Sequence, residues 1–375
     1  MGVHAERILI IRPSALGDVA RSVPVLVSLR RTFPTARIDW LVQDTFAPVI
    51  ASHPDLSNAI LFPRKAFGRW VRTLNILALL RFTKPLREAR YDLVLDCQGL
   101  ARSAILGWCT RSRRRVGHKE ARELAPKLYT QRVHSPIERH TVDRMLDLVE
   151  SIGVPTDRSP AAMRLYTPES ATAWWLADPA YSAGRYVVLA PTSRWIAKQW
   201  LADRFADLAR ILTSKGINVV LVGGANERNQ VAPLLELATR NSRVIDRIGA
   251  TDIPKLMAIL QKAALVVAND SAALHIAVGF DRPVVALFGP TRVHRVGPFG
   301  RDADVIQHVL EVGGVGEVGV AGSSKLAYQP TNRDEPSLYD QSFDHKDSRS
   351  RVMMARISVE EVAAACFHKL ASKST

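Results

Sequence analysis

Four short stretches hold the residue types that activate hydroxyls and bind oxyanions, and each follows an apolar run of strand length. The first is Arg12-Pro-Ser14-Ala-Leu-Gly17-Asp18. Its glycine permits a tight turn, and Asp18 falls where a helical pattern begins. A carboxylate there either caps the helix or accepts a proton. A dinucleotide fingerprint needs G-x-G-x-x-G at this point, and only Gly17 is present, which argues against a nicotinamide cofactor. The second stretch runs from Pro191 to Trp200 and offers the hydroxyls of Thr192 and Ser193 and the charges of Arg194 and Lys198. That set suits a phosphate, although a basic loop facing water has the same composition, and the Walker pattern is absent. The third is Asn269-Asp270-Ser271-Ala272-Ala-Leu-His275, a strand end running into a helix. The amides of Ser271, Ala272 and Ala273 would form an anion site at the helix start. His275, one turn on, either donates to the anion or packs in a core. The fourth, Phe288-Gly-Pro-Thr291, reads as a turn at the next strand end.

The elements that must position these groups alternate. Strands are expected at residues 7–11, 37–42, 59–62 and 92–96, and helices at 19–32, 69–90 (interrupted by Pro85) and 141–151. A Pro- and Ser-rich connector follows. The alternation then restarts, with strands at 186–190, 218–222, 243–246, 265–268 and 283–288 and helices at 201–214, 227–239, 253–261 and 272–278. Such alternation predicts an α/β protein of two Rossmann-like, doubly wound parallel-sheet domains facing a cleft, with ligands at the carboxyl ends of the strands. The first domain is expected over residues 1–165 and the second over 180–356. Residues 311–351, rich in Gly, Ser and Asp, read as a mobile excursion. A C-terminal helix in residues 357–375, N-capped by Ser358, is expected to be able to pack back on the first domain. Three chemical stretches then sit on the second sheet, and Asp18 sits on the first.

The chain has 375 residues and a formal charge of +15, and the charge is local. Residues 64–144 carry 19 Lys and Arg against 7 Asp and Glu, whereas the remainder carries 32 against 29. A segment this basic is a solvated face, or it meets nucleic acid, an anionic membrane surface or an acidic substrate. Trp70, Tyr91 and Trp108 are too sparse for a base-stacking platform, and no nucleic-acid module is recognisable. No apolar run is long enough to span a bilayer, and the first residues lack the pattern of a secretory signal. Cys97, Cys109 and Cys366 make neither a disulfide framework nor a metal knuckle, which suits a reducing cytoplasm.

In combination the stretches resemble the ADP-heptose:lipopolysaccharide heptosyltransferase family, inverting glycosyltransferases of GT-B fold. ILIIRPSALGDVARSVPVLVSLRRTFP resembles that family's opening, which implies that Asp18 is the catalytic base. YDLVLDCQGLARSA resembles a second family stretch. VLAPTSRWIAKQW resembles its donor-phosphate loop and implies roles for Thr192, Ser193 and Lys198, the last also in catalysis. LVGGANE implies Glu227 near the nucleotide. VVANDSAALHIAVGF implies donor contacts from Asp270, Ser271, Ala272 and His275, with Ala272 where the family often has Gly. Ser14, Gly17 and Arg122 fall in acceptor-side stretches. The resemblance spans roughly residues 6–300. It implies heptose transfer from ADP-heptose to the lipid A–Kdo inner core of lipopolysaccharide. No metal or other cofactor is expected, nor any nucleic-acid partner. The acceptor would be an anionic glycolipid and the protein cytoplasmic, peripheral at the inner face of the cytoplasmic membrane. The alternatives are a related transferase with another nucleotide sugar or acceptor, and a non-catalytic nucleic-acid-binding protein.

Overall fold

The computed structural model describes residues 4–308 and 348–372. The chain divides into two compact units, Met1–Tyr166 and Thr167–Thr375. The first contains, in order, β1 (Arg7–Ile11), α1 (Leu16–Arg21), α2 (Val23–Thr32), β2 (Arg37–Gln43), β3 (Asn58–Phe62), α3 (Arg64–Arg72), α4 (Ile76–Glu88), β4 (Leu93–Asp96), α5 (Ala101–Cys109), β5 (Arg114–His118), β6 (Gln131–Val133) and α6 (Thr141–Glu150). Its six strands lie in the order β3-β2-β1-β4-β5-β6, and every pairing is parallel.

The second unit contains α7 (Glu169–Leu176), α8 (Pro179–Ser182), β7 (Tyr186–Ala190), α9 (Ala202–Ser214), β8 (Asn218–Leu221), α10 (Ala232–Arg240), β9 (Val244–Asp246), α11 (Ile253–Lys262), β10 (Leu265–Asn269), α12 (Ala272–Gly279), β11 (Val284–Phe288), α13 (Val293–Val296), β12 (Val305–Gln307), α14 (Ser348–Arg356) and α15 (Val359–Ala371). The strand order β12-β11-β10-β7-β8-β9 repeats the topology of the first sheet and is again all parallel. Strands covered by helices on both faces are apolar throughout, and β7, β10 and β11 are buried along their whole length. In each sheet the order reverses beside one strand, β1 in the first and β7 in the second. The loops after β1 and β4, and after β7 and β10, therefore flank the place where such sheets bind ligands.

The structure departs from the sequence reading in several places. The helix expected over 19–32 is two, broken at Ser22; Pro24, which has no N–H to donate, sits in the first turn of α2. The helix expected over 69–90 is also two: Leu74 is in the left-handed region and Asn75 caps α4 by accepting the Ala78 N–H at 3.0 Å. Strands β5, β6 and β12 carry no apolar run, since β5 opens on two arginines. Arg114 reaches Gln131 across the β5–β6 pair, and Arg115 donates to the Leu128 carbonyl at 2.9 Å. The last helix packs within the second unit. Val362, Ala363, Cys366 and Leu370 of α15 join Phe205, Leu208 and Leu212 of α9 in the second unit's own core, because that apolar stripe covers its sheet. Of the expected excursion over 311–351, residues 311–347 lie outside the described residues, and its end begins α14.

Beneath the first sheet's carboxyl edge, Asp96 is buried and fully engaged. It accepts from the Ser103 and Tyr129 hydroxyls, each at 2.8 Å, and from the Gln98 and Gly99 amides at 2.9 and 3.1 Å. Tyr129 can lie there only because Gly117 lacks a side chain, since a Cβ would fall on the tyrosine ring. Gly117→Ala should therefore cost about 1–3 kcal/mol. Chemical denaturation of the variant beside wild type checks this, and Tyr129→Phe should be partly epistatic with it.

Candidate active site

After the buried strand β1 the chain turns at Arg12–Ala15, and Asp18 follows one turn into α1. Ala15 has no side-chain acceptor to cap the helix, so Asp18 reaches back and accepts the Ala15 N–H at 3.1 Å. Asp18 is thus a cap, but its carboxylate does more than cap. Arg12 Nη2 lies 3.2 Å from Oδ2, and Arg21 Nη2 donates to Oδ1. Both guanidinium groups are buried, whereas the Asp18 side chain is 27% exposed. Burial by itself raises the Asp18 pKa, but Arg12 and Arg21 outweigh it and hold the carboxyl well below the usual carboxylate range.

Neighbouring loops lock onto this one. The Ser14 N–H donates to Gln98 Oε1 at 3.2 Å, and the Arg122 N–H donates to the Gly99 carbonyl at 2.9 Å. Gly99 is left-handed, with φ +71°, and its missing side chain lets Ala121 approach. Ser14, Gly17, Asp18 and the Arg122 backbone therefore lie along the carboxyl ends of three adjacent strands, β1, β4 and β5. The Arg122 side chain is exposed.

In the second unit, Thr192 and Ser193 follow β7 and are buried. Gly223, after β8, must lack a side chain, because a Cβ there would lie 2.8 Å from Thr192 Oγ1. A short 3-10 turn, Ile196–Lys198, then presents Lys198, whose Nζ lies 2.6 Å from Asp270 Oδ2. His275 Nε2 is 3.9 Å from the other carboxylate oxygen. Asn269, fully buried, fastens the two loops: it accepts the Trp200 N–H at 3.0 Å and donates to the Pro191 carbonyl at 2.8 Å.

Ser271 stands at the N-cap of α12 without capping it, and its buried hydroxyl has no hydrogen-bond partner among the described residues. The first amides of α12, including that of Ala272, have no partner within the helix by its geometry. A lysine, a hydroxyl and a helix start at one strand edge form a site for an anion. Glu227 accepts the Gly224 N–H at 3.0 Å, and no contact joins it to the Lys198–Asp270 pair among the described residues. No group of three or more potential metal ligands occurs among the described residues.

A family model described as glycosyltransferase family 9 (heptosyltransferase) matches residues 79–312, more than half the chain. The chain belongs to glycosyltransferase family 9. This glycosyltransferase is 28% identical over 365 residues to lipopolysaccharide heptosyltransferase 1 of Pseudomonas aeruginosa, covering 94% of this chain and 96% of that one. Among solved structures, it matches Escherichia coli heptosyltransferase WaaC with ADP at 26% identity and TM-score 0.66, over 80% of this chain and 92% of that one. A family 9 transferase from Veillonella parvula, at 21% identity and TM-score 0.74 over 100% and 99% of the two chains, shares the fold.

Several residues of the candidate site escaped the sequence reading. Arg21 has a signal in principle, its i,i+3 spacing from Asp18 on a helix. Gln98 and Asn269 act through hydrogen bonds between distant loops, which no local pattern marks. The same holds for the brace under the lysine turn, where Trp200 Nε1 donates to the Ile357 carbonyl at 2.9 Å and Arg204 to the Ala355 carbonyl at 2.5 Å. A Cβ on Gly289 would lie 2.8 Å from Met354 Sδ, so α14 also packs tightly against the turn after β11.

His118, at the carboxyl end of β5, is buried and its Nδ1 has no partner among the described residues. Burial, reinforced by Arg144, pushes its pKa from 6.5 down to about 4. Between those values the unfolded chain binds a proton that the native state refuses, so stability should fall as pH drops through this window. His118→Gln removes that term. The melting temperature of the variant should decline less than wild type's between pH 6.5 and 4.

Proposed function

We propose that this glycosyltransferase moves a heptose from ADP-heptose to the lipid A–Kdo inner core of lipopolysaccharide, with inversion and without a metal. The observation that carries the reading is the anion site of the second unit: Lys198, the unpartnered Ser271 hydroxyl and the start of α12 at the strand edge where the sheet order reverses. A relative solved with ADP supports a nucleotide diphosphate as the group bound there.

In this reading the acceptor hydroxyl attacks the anomeric carbon as the carbon–oxygen bond to the diphosphate breaks. Asp18 takes the hydroxyl proton, and the departing ADP carries the extra negative charge. Lys198, Thr192, Ser193 and the α12 amides offset that charge, so the diphosphate competes with Asp270 for the lysine. Glu227 is assigned to the nucleotide, His275 to the phosphates, and Ser14, Gly17 and Arg122 to the acceptor. A carboxylate held by two arginines is ionised at neutral pH but only weakly basic. The proton therefore moves late, once bond formation has made the hydroxyl acidic.

The acceptor is an anionic glycolipid met at the cytoplasmic face of the membrane, where the protein binds peripherally. The positive charge of residues 64–144 supports this, and no helix among the described residues is long and apolar enough to cross a bilayer.

Asp18→Asn should keep ADP binding and lower turnover by roughly 10²–10⁴-fold, the usual worth of a general base. The assay is transfer of labelled heptose to lipid A–Kdo, run with and without EDTA. Near wild-type turnover in the variant would leave Asp18 as a helix cap alone, and activity lost to EDTA but restored by a divalent cation would refute the metal-free mechanism.

Lys198→Ala should weaken ADP binding about 10- to 100-fold, the worth of one hydrogen bond to a charged group. Titration calorimetry reads this, with a melting curve to confirm the fold. Unchanged affinity for both ADP and ADP-heptose would remove Lys198 from the site.

A further inference from the structure

Helix α4 has a conventional inner face and an unconventional outer one. Leu79 and Phe82 pack against the cluster of Phe62, Phe67 and Trp70, and Leu86 is buried. The other side bears Leu77 and Leu80, 60% and 55% exposed, and beside them Trp108 at the end of α5 is 57% exposed. Seven of the fourteen exposed large apolar side chains among the described residues fall between Val71 and Trp108. A concentration of this kind marks an interaction surface rather than ordinary scatter.

Cations ring the apolar groups. Leu77, Leu80 and Trp108 line a groove of about 520 Å³ together with Arg81, Lys84 and Arg87, and no carboxylate lines it. Arg111 and Arg115 also line it. Lys84 has only a loose, exposed partner in Glu88, at 3.7 Å. Among the described residues Arg81, Arg87 and Arg111 form no ion pair, whereas Arg115 is tied to backbone carbonyls of Ser112 and Leu128. Leu77, Leu80, Arg81, Lys84 and Arg87 recur at helical spacing, so one stripe of α4 carries both the apolar groups and the charges.

We propose that this face of α4 and the end of α5 seats on an anionic phospholipid bilayer, with Leu77, Leu80 and Trp108 at the headgroup–acyl boundary and Arg81, Lys84 and Arg87 on the phosphates. This rests on the peripheral membrane contact argued above and assigns it to particular side chains. Charge complementarity selects the occupant. A soluble protein partner would have to bring several carboxylates into an apolar groove, whereas a phospholipid surface presents phosphates directly above hydrocarbon. Tryptophan is also the side chain that settles at that boundary.

The test uses the full chain and sedimentation with vesicles of phosphatidylcholine alone or mixed with phosphatidylglycerol. Wild type should bind the mixed vesicles far better, and less so as salt rises. Leu80→Ser with Trp108→Ser should lower the partition coefficient at least about tenfold, as should Arg81→Glu with Arg87→Glu. In wild type, lipids brominated on the acyl chains should quench part of the tryptophan fluorescence, and Trp108→Phe should abolish that part. Binding that survives the serine pair but not the charge reversal would be adsorption without insertion and would overturn the proposal. So would a serine pair that leaves vesicle binding intact while converting a dimer to monomer, since a second copy would then cover the face. Transfer to a soluble, delipidated acceptor should be unchanged in these variants. If wild type fails that transfer, the transferase reading fails while the vesicle result still stands.

Discussion

A parallel strand can pair with its neighbour only after the chain has been carried back across the sheet, and all twelve strands among the described residues are parallel. Most of the architecture follows from that requirement. Each return is long enough to hold a helix, the helices cover both faces, and the strands become continuous apolar segments such as RILII and LVVAN. Every strand also ends at the same edge of its sheet. The loops after β1, β4 and β5 in one unit, and after β7, β8 and β10 in the other, are therefore brought together without any loop having to be long. Short loops over a rigid edge hold side chains to the tolerance that group transfer requires.

Charge at these edges is held in pairs. Asp18 lies between Arg12 and Arg21, and Lys198 lies against Asp270. Taking a charge out of water costs free energy that a close countercharge offsets. The consequences differ at the two sites. The Asp18 arrangement keeps a carboxylate ionised and oriented, with both oxygens engaged and a quarter of the side chain still open. The Lys198 pair keeps a cation positioned by a partner that a diphosphate can replace. Asn269 and the Trp200–Ile357 hydrogen bond fix the backbone beneath that lysine, so the turn carrying it is braced from the sheet and from the C-terminal helices at once.

The outer side of α4 does not follow from folding. A helix needs one apolar stripe to pack, and α4 has that stripe in Leu79, Phe82 and Leu86. Leu77 and Leu80 add a second stripe that is more than half exposed. Exposed leucines among unpaired arginines lower solubility and contribute no internal stability, so their cause lies in what the surface meets.

The sequence by itself determined the class of fold, because strand and helix periods are local. Two alternating series separated by a Pro- and Ser-rich connector are readable in one dimension. It also singled out Asp18, Thr192, Ser193, Lys198, Asp270, Ser271 and His275, since each stands between an apolar run and the first turn of the helical pattern that follows, or within that turn. Strands β6 and β12 were hidden because edge strands need no apolar run, and the interior strand β5 because it opens on arginines whose hydrogen bonds lie across the sheet. Only the tertiary structure decided which charges meet. That Asp270 takes Lys198, that Gln98 and Asn269 tie loops far apart in the chain, and that α15 belongs to the second core all depend on contacts between distant residues. Sequence spacing carries information over a turn of helix or a pair of strand residues. It carries none over the crossover that brings two loop ends side by side.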